Sequence, residues 1–436
     1  MRRDQADSLG VDRHTHSLRL NATQTWALSL LAVLCLAWET GSDAQILQGQ
    51  WVDQSQAAID QHRKADVTVI VLDRQDRAVQ DAKVRLVQQR HDFVLGLTLP
   101  NDRMPPKEPR GLPVYRCFNA IAMDRYTVWS ASSESDPKKT TARLNAWADA
   151  IDPIHKHFGP VVSADTARNH DRLSLLESAE LRDAVLARID LASVFDPTPD
   201  SYDLYADLLK QDMIERKLGQ GMLPRMFDRA AARRPKASFG VRVRNAISLQ
   251  SGRDFVSTIQ KLEVRQVPID HITIEQSFLG PIQPNALRRM LEEYVAPRPA
   301  PVSLASMEVG GPTPVAAAIK LETLLRLAFA QPNIHGIYFA GLVEDELIED
   351  NAALIDRNGK PTAVGEVLDT LFTKLWHSDE SGASDERGNV QARVFTGWYR
   401  ITATLPDGTQ IESEAYIPKA DRSKRIILQA TAAEAK

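Results

Sequence analysis

The fold of this chain is indicated most clearly by Thr313-Pro-Val-Ala-Ala-Ala-Ile-Lys-Leu-Glu-Thr-Leu-Leu-Arg-Leu-Ala-Phe-Ala-Gln-Pro332. Thr313 is a natural N-cap, because its hydroxyl can accept a free backbone N–H, and proline is well tolerated at the next position. A stripe at i, i+3, i+4 and i+7 predicts a face that packs on a core: Leu321, Leu324, Leu325 and Ala328. The helix is expected to end at Gln331, since the residue before a proline disfavours the helical conformation.

Short apolar runs alternate with amphipathic segments on both sides of this helix, from Phe93 to about Trp376. The predicted strands begin near Phe93, Phe118, Gly159, Tyr202, Phe239, His271, Val302 and Gly336. Eight strand–helix units suit a (β/α)8 TIM barrel, for which about 250 residues is typical. A doubly wound open sheet shows a similar alternation and stays the alternative on periodicity alone. No Gly-rich phosphate loop follows any strand, which argues against nucleotide binding.

Strand patterns also occur at both ends of the chain. The candidates are Asp66–Leu72 and Lys83–Val87, then Val390–Phe395, Trp398–Thr404, Gln410–Ile417 and Arg425–Leu428, with a hairpin turn at Pro406-Asp-Gly408. Because two or three strands alone are marginally stable, we expect the two ends to meet in one small β-domain. The predicted organisation is an α/β fold with a signal peptide (1–44), an N-terminal β-segment (45–92), a TIM barrel (93–376) and a C-terminal β-segment (377–436).

The N-terminus has the pattern of a targeting segment. The apolar run Trp26–Trp38 follows several arginines and precedes Ser42-Asp-Ala44, an acceptable cleavage site. The run is shorter than the roughly 18–20 residues that a membrane span needs. We therefore expect export to the periplasm or the cell exterior, with no membrane contact after cleavage. An uncleaved anchor is the alternative, because the region before the run is long and contains acidic residues.

Composition limits the partners and the redox chemistry. A formal net charge of −4 over 436 residues offers no basic surface for nucleic acid or anionic membrane. Cys35 would leave with the presequence, so Cys117 would be the single thiol and no internal disulfide is expected. Cys117 is interpreted as a small buried apolar residue. No cofactor is indicated.

Several motifs together resemble one enzyme family. Phe329-Ala-Gln-Pro-Asn-Ile-His-Gly-Ile-Tyr-Phe-Ala-Gly341, followed by Asp350–Gly359, is similar to the eighth strand and its loop in glycoside hydrolase family 10, the xylanase family. His91–Gly96 resembles the family's entry into the first strand, and Phe395–Tyr399 resembles the β-tail of some members. The resemblance extends from about Ile59 to Leu405. It implies a TIM barrel and retaining hydrolysis of β-1,4-linked xylan.

That chemistry needs two carboxyl groups about 5–5.5 Å apart, one acid/base and one nucleophile. The resemblance places Ser306, within Pro301–Val309, at the nucleophile position, and a hydroxyl lacks the charge that stabilises an oxocarbenium-like centre. Asp207 stands at the acid/base position, one methylene shorter than the family's glutamate. It can equally be an N-cap or a solvated loop carboxylate. The sequence therefore assigns no catalytic residue, and a degenerate member lacking both catalytic glutamates is the interpretation.

Two other acids are reserve candidates for altered chemistry. Glu275 lies in the sixth strand, and Glu308 follows Ser306 by two residues, so strand alternation predicts the same face about 6.5 Å further along. An inverting route needs carboxyl groups about 6.5–9.5 Å apart. Asp207 as acid, with Glu275 or Glu308 as base, is therefore the alternative hypothesis of an active xylanase-like hydrolase.

The resemblance also indicates where a sugar would bind. The substrate-binding candidates are Trp129, Asp124, Arg125, Asp165 and Ser277. Trp129 keeps a family aromatic residue, whereas Arg125 replaces a sugar-binding asparagine and Ser277 replaces a histidine that orients the nucleophile. A polysaccharide or oligosaccharide is the expected partner; the oligomeric state is not predicted.

Charged residues are expected to collect at the barrel mouth, the face where such barrels build sites. Arg125, Arg242 and Arg244 are expected to pair with Asp165, Asp207, Glu275 and Glu308. A salt-bridge network in a disused cleft is favoured over a polar-ligand pocket or an oxygen-lined cation site. His155 and His157 are expected on a surface helix rather than as metal ligands. The sequence thus predicts an exported pseudoenzyme with a carbohydrate-binding or structural role.

Overall fold

The computed structural model describes residues 42–100, 103–105, 113–126, 137–165, 171–209, 213–419 and 424–430. The chain forms two compact units, Met1–Asp53 and Gln54–Lys436, and every described residue of the candidate site belongs to the second. Most of the predicted signal peptide lies outside the described residues, so export stays a prediction. Among the helices of the described ranges, none is long and apolar enough to cross a membrane.

The strands of the described residues follow the predicted pattern closely. They are β1 Lys64–Leu72, β2 Lys83–His91, β3 Val94–Thr98, β4 Ala120–Ala122, β5 His155–Phe158, β6 Val162–Ser163, β7 Ser201–Ala206, β8 Ser238–Arg244, β9 His271–Glu275, β10 Val302–Met307, β11 Ile334–Phe339, β12 Asp379–Ala383, β13 Asn389–Phe395, β14 Gly397–Thr404, β15 Gln410–Ile417 and β16 Lys424–Gln429. The third barrel strand is the one clear displacement, since β5 begins at His155 rather than near Gly159.

Eight parallel strands close into a barrel. The order is β3, β4, β5, β7, β8, β9, β10 and β11, and β11 pairs with β3 to close the ring. Strand β6 is a short addition beside β7. The predicted TIM barrel is therefore confirmed. The alternative of a doubly wound open sheet is wrong, because an open sheet has two unpaired edge strands and this ring of eight strands is closed.

Helices precede the barrel strands and alternate with them along the described chain. They are α1 Ser42–Arg63, α2 Pro113–Cys117, α3 Pro137–Ile151, α4 Ser178–Ser193, α5 Met213–Leu218, α6 Met222–Arg233, α7 Leu249–Val264, α8 Pro284–Met290, α9 Pro314–Ala330 and α10 Ala363–Thr370. Helix α9 begins and ends as predicted, with the Thr313 hydroxyl accepting the N–H of Ala316 at 3.1 Å. Its stripe residues are fully buried. Helix α1 has no counterpart in the predicted β-segment.

The two chain ends meet in a β-domain, as predicted. One sheet has the order β13-β1-β16 and the other β12-β2-β14-β15, so each combines N-terminal and C-terminal strands. Their inward faces share one apolar core, which includes Val67, Val69, Leu86, Tyr399, Ile401 and Leu428. Strand β12 is the strand of this domain that the sequence pattern does not predict.

Arg63 joins the β-domain to the barrel. Its guanidinium donates to the carbonyl oxygens of Phe329, Gln331 and Ile334 at 2.5–2.7 Å, which satisfies the end of α9 and the start of β11. Burial lowers the pKa of Arg63 to about 10, so the side chain keeps its charge at neutral pH. The positive charge also suits the carboxyl end of a helix dipole. The attachment therefore lies at the amino ends of the barrel strands, away from the mouth.

Candidate active site

Asp203 on β7 is the centre of a buried polar network inside the barrel. Its Oδ2 accepts Nε2 of His157 at 2.9 Å and Nε of Arg242 at 2.7 Å. Its Oδ1 accepts Nε2 of His271 at 3.1 Å and the hydroxyl of Thr273 at 2.9 Å. The carboxylate is fully buried, so these four donors replace the water that it gives up on folding.

Strand alternation explains why these groups meet. Residues i and i+2 of a strand share a face, so His271, Thr273 and Glu275 of β9 all point inward. Burial alone would raise the pKa of Asp203, but His157 and Arg242 hold it well below its usual range. Burial opposes the charge of Arg242 as well, yet Asp124 and Asp203 keep its pKa well above the usual value. The centre of the barrel thus holds a stable ion pair.

The two histidines of β5 continue the network. The hydroxyl oxygen of Ser201 lies 2.8 Å from Nδ1 of His157 and 2.8 Å from Nε2 of His155. Both histidines are on β5, and His157 is buried. The expected surface-helix position of His155 and His157 is therefore wrong.

The side chains of His157, Asp203 and His271 have the composition of a metal site, with ligand atoms within 4.8 Å of one another. Arg242 argues against a cation there. Its Nε donates a hydrogen bond to Oδ2 of Asp203, an oxygen that a metal ion would need as a ligand. Its Nη2 lies 3.3 Å from Nε2 of His157. Both Nε2 atoms also point at the carboxylate as donors. These residues fit a hydrogen-bonded ion pair better than a metal centre.

Towards the mouth, two arginines separate the remaining acids. Nη1 of Arg242 lies 2.6 Å from Asp124 Oδ2 and 3.7 Å from Glu275 Oε2. Arg244 lies between Asp207 and Glu275, with Nη2 2.9 Å from Asp207 Oδ1 and Nε 3.5 Å from Glu275 Oε1. The Arg244 contacts are ion pairs by distance, without the alignment of hydrogen bonds. The expected pairing of Arg242 and Arg244 with mouth carboxylates is present.

Asp207, which the resemblance places at the acid/base position, is held on two sides. It follows β7 with a left-handed backbone (φ 62°), and its side chain is 2% exposed. The hydroxyl of Ser163 donates to Oδ2, while Arg244 faces Oδ1. The expectation of an N-cap or a solvated loop carboxylate is therefore wrong. Both oxygens are committed to protein groups.

Ser306 and Glu308 do not behave as neighbours on a regular strand. Ser306 has a left-handed backbone (φ 50°), and the register of β10 against β11 shifts between Leu304 and Met307. The alternation assumed for Glu308 is therefore interrupted. Its Oε1 instead accepts the backbone N–H groups of Ile348 and Glu349 at 2.7 and 2.6 Å, and burial raises its pKa. Glu308 fixes the loop that follows β11.

The structure places the predicted substrate-binding residues in different environments. Nη2 of Arg125 donates to the carbonyl oxygens of Ala340 and Glu346 at 2.9 and 3.0 Å, so its expected pairing with a mouth carboxylate is wrong. Asp124 faces Arg242. Asp165 and Ser277 are half-buried at the ends of their strands, and Trp129 lies outside the described residues.

Asp203 was not among the predicted site residues, although the sequence contains a signal for it. It stands between Tyr202 and Leu204 in a strand whose residues are all buried. A charged residue in such a strand needs a buried partner. His271 carries a similar signal, since it begins a strand in which Ile272 and Ile274 alternate with inward-pointing residues.

This chain is similar to parts of longer curated proteins. No family model matches the chain. It is 22% identical over 385 residues to anti-sigma-I factor RsgI6 of Acetivibrio thermocellus, spanning 82% of this chain and 47% of that protein. It is 24% identical over 262 residues to endo-1,4-beta-xylanase 1 of Arabidopsis thaliana, spanning 58% of this chain and 27% of that protein. The chain therefore spans less than half the length of either.

The solved structures decide the fold family. Native xylanase 10B from Thermotoga maritima matches with a TM-score of 0.53 at 15% identity, covering 65% of this chain and 97% of that one. Xylanase 10B from Thermotoga petrophila, solved with xylobiose, matches with 0.52 at 14% identity, covering 64% and 95%. The fold is that of the family 10 xylanases. The resemblance seen in the sequence motifs is confirmed at this level.

Proposed function

We propose that this protein is an exported, catalytically impaired relative of the family 10 xylanases, which binds polysaccharide instead of hydrolysing it. The main observation in support is that the Arg244 guanidinium lies between Asp207 and Glu275. An inverting route needs a water molecule between its two carboxyl groups, and a retaining route needs a nucleophilic carboxylate. The Arg244 guanidinium lies where an inverting route would need the water molecule. The neutral hydroxyl of Ser306 stands where a retaining route would need the carboxylate.

The other reserve acid offers no better route. Glu308 uses one carboxylate oxygen to hold two backbone amides, so moving it towards a substrate would leave both amides without their acceptor. Asp203 is fully buried and bonded to four donors. The carboxylates of Asp207, Glu275 and Glu308 are therefore each engaged by protein groups.

The binding role is supported by the relatives. A xylanase of the same fold was solved with xylobiose, so this barrel shape suits a β-1,4-linked sugar chain. One relative, matched over 82% of this chain, is named as an anti-sigma-I factor. A protein that reports the presence of a polysaccharide needs affinity without turnover. Export by the predicted presequence would bring the protein to such a polymer.

The test compares turnover with binding in one preparation. The full-length protein and an Asp207→Asn/Glu275→Gln variant, purified identically, are incubated with soluble xylan and β-glucan, and released reducing ends are measured. We expect equal background release from both, together with retardation of the wild-type protein in native gels that contain the polysaccharide. Release by the wild type far above the double variant would show a working hydrolase and overturn the proposal.

A further inference from the structure

We propose that the outer face of the sheet β12-β2-β14-β15 is a second carbohydrate-binding surface, centred on Trp398 and Tyr416, that stacks the pyranose rings of a neutral polysaccharide. The inference rests on the proposed polysaccharide-binding function and assigns part of it to the β-domain. We call this pair of rings the aromatic platform.

The aromatic platform is exposed, although the residues next to its two rings in the sequence are buried or half-buried. Trp398 and Tyr416 are cross-strand partners on β14 and β15, with ring centroids 5.3 Å apart and planes inclined by 42°. Trp398 is 45% exposed and Tyr416 36%, whereas Tyr399, the next residue, is fully buried in the domain core. Alternation thus sends one aromatic residue inward and its neighbour outward. Paired large rings on a solvent face indicate a contact surface rather than packing.

The Tyr416 ring of the platform is held in place before any ligand arrives. The hydroxyl of Tyr416 donates to the carboxylate of Asp92. Arg90 is the β2 residue in register with Trp398, and it forms an ion pair with Asp152. Aromatic side chains have few rotatable bonds, so fixed rings lose little conformational entropy on binding.

The surroundings favour a sugar over a protein partner. In the next row of the same face, Arg400 is in register with Glu414 and lies 3.0 Å from Glu412. A protein interface needs about 800 Å² per partner with an apolar centre, which charged rows beside two rings do not supply. A pyranose has one flat apolar face and a rim of hydroxyls, so it matches two rings bordered by carboxylates and guanidiniums. Because both signs of charge are present, a neutral polymer fits best.

The platform lies away from the barrel mouth. Arg90 pairs with Asp152, which precedes β5, and Nζ of Lys419 donates to the carbonyl of Pro332, which precedes β11. Both contacts are at the amino ends of barrel strands, and the mouth is at the carboxyl ends. A chain bound at the platform would therefore not occupy the cleft.

The experiment measures the affinity of the full-length protein for soluble xylan and hydroxyethylcellulose by retardation in native gels. We expect Trp398→Ala to weaken binding about tenfold, since the stacking surface is lost, and Trp398→Phe to weaken it less. The matched control is Leu191→Ala, which removes an exposed apolar side chain from α4 and should change nothing. Thermal unfolding of each variant shows that the fold is retained. Binding should also be insensitive to salt, because the ligand is neutral.

Three outcomes contradict the inference in distinguishable ways. Equal retardation of Trp398→Ala and wild type would overturn the platform and leave polysaccharide binding by the protein standing. Loss of the Trp398-dependent binding at high salt would indicate a charged partner instead. No retardation of the wild type by either polymer would overturn the platform and the proposed function together.

Discussion

The carboxylate of Asp203 and the guanidinium of Arg242 form an ion pair inside the barrel, with 2.7 Å between Oδ2 and Nε. Both side chains are at most 2% exposed. Such a pair is held by its partners, because removing one charge leaves the other buried and uncompensated.

Arg242→Met should therefore lower the free energy of unfolding by about 3–5 kcal/mol. The loss is measured by urea denaturation at neutral pH. Arg229→Met is the control, since the pair of Arg229 with Asp190 is exposed and should contribute about 0–1 kcal/mol. A loss for Arg242→Met no larger than that of the control would show that Asp203 is not held as a buried anion.

Ser306→Glu tests whether the position that the resemblance predicts for the nucleophile opens to water. Ser306 is half-buried, so we expect only a small fall in melting temperature, whereas Ala305→Glu places a carboxylate at a fully buried position and should cost several kcal/mol. Equal damage by the two substitutions would mean a closed mouth. We also expect no xylan hydrolysis by Ser306→Glu, because Arg244 still engages Asp207.

Glu308 can be tested as a structural acceptor. Glu308→Gln keeps an oxygen for the N–H groups of Ile348 and Glu349, so the free energy of unfolding should change by less than about 1 kcal/mol. Glu308→Ala should lower it by about 1–3 kcal/mol, because the amides lose their acceptor. Equal effects of the two substitutions in denaturant titrations would contradict this role.

His91 should make stability depend on pH. Burial among aromatic rings lowers its pKa to about 3, so between that pH and about 6.5 the unfolded chain binds a proton that the folded chain does not. The contribution of His91 to the free energy of unfolding is therefore fully present above about pH 6.5. It decreases as the pH drops below that value, by at most about 1.4 kcal/mol per pH unit. His91→Phe should flatten this dependence in denaturation series between about pH 4 and 6. An unchanged slope would show that His91 is protonated in the folded protein.

The sequence predicted the individual elements well because their signals are local, whereas periodicity alone left a closed barrel and an open sheet as alternatives. The Thr313 cap, the stripe of α9 and the Gln331-Pro332 stop act within one element, so they gave its boundaries. The strand beginnings at His271 and Val302 follow equally from short apolar runs. The β5 strand was misplaced because His155 and His157 are polar, and their polarity was interpreted as exposure.

The site was predicted less well because its contacts join distant parts of the chain. Arg242 and Asp124 are 118 residues apart in sequence, and no local pattern encodes their 2.6 Å contact. Arg125, one residue from Asp124, turns to backbone carbonyls instead. The spacing of residues in the sequence predicted where the strands end, but it did not predict which side chains contact each other.

The sequence by itself determined that Ser306, at the position where the resemblance predicts a nucleophilic carboxylate, is a neutral hydroxyl, because the identity of a side chain fixes the charge it can carry. Only the tertiary structure decided what became of the remaining acids. Asp207 and Glu275 face Arg244, and Glu308 holds a loop. The reason is physical: the strength of a charge interaction depends on distance and burial, and both are set by strands that meet only when the barrel closes.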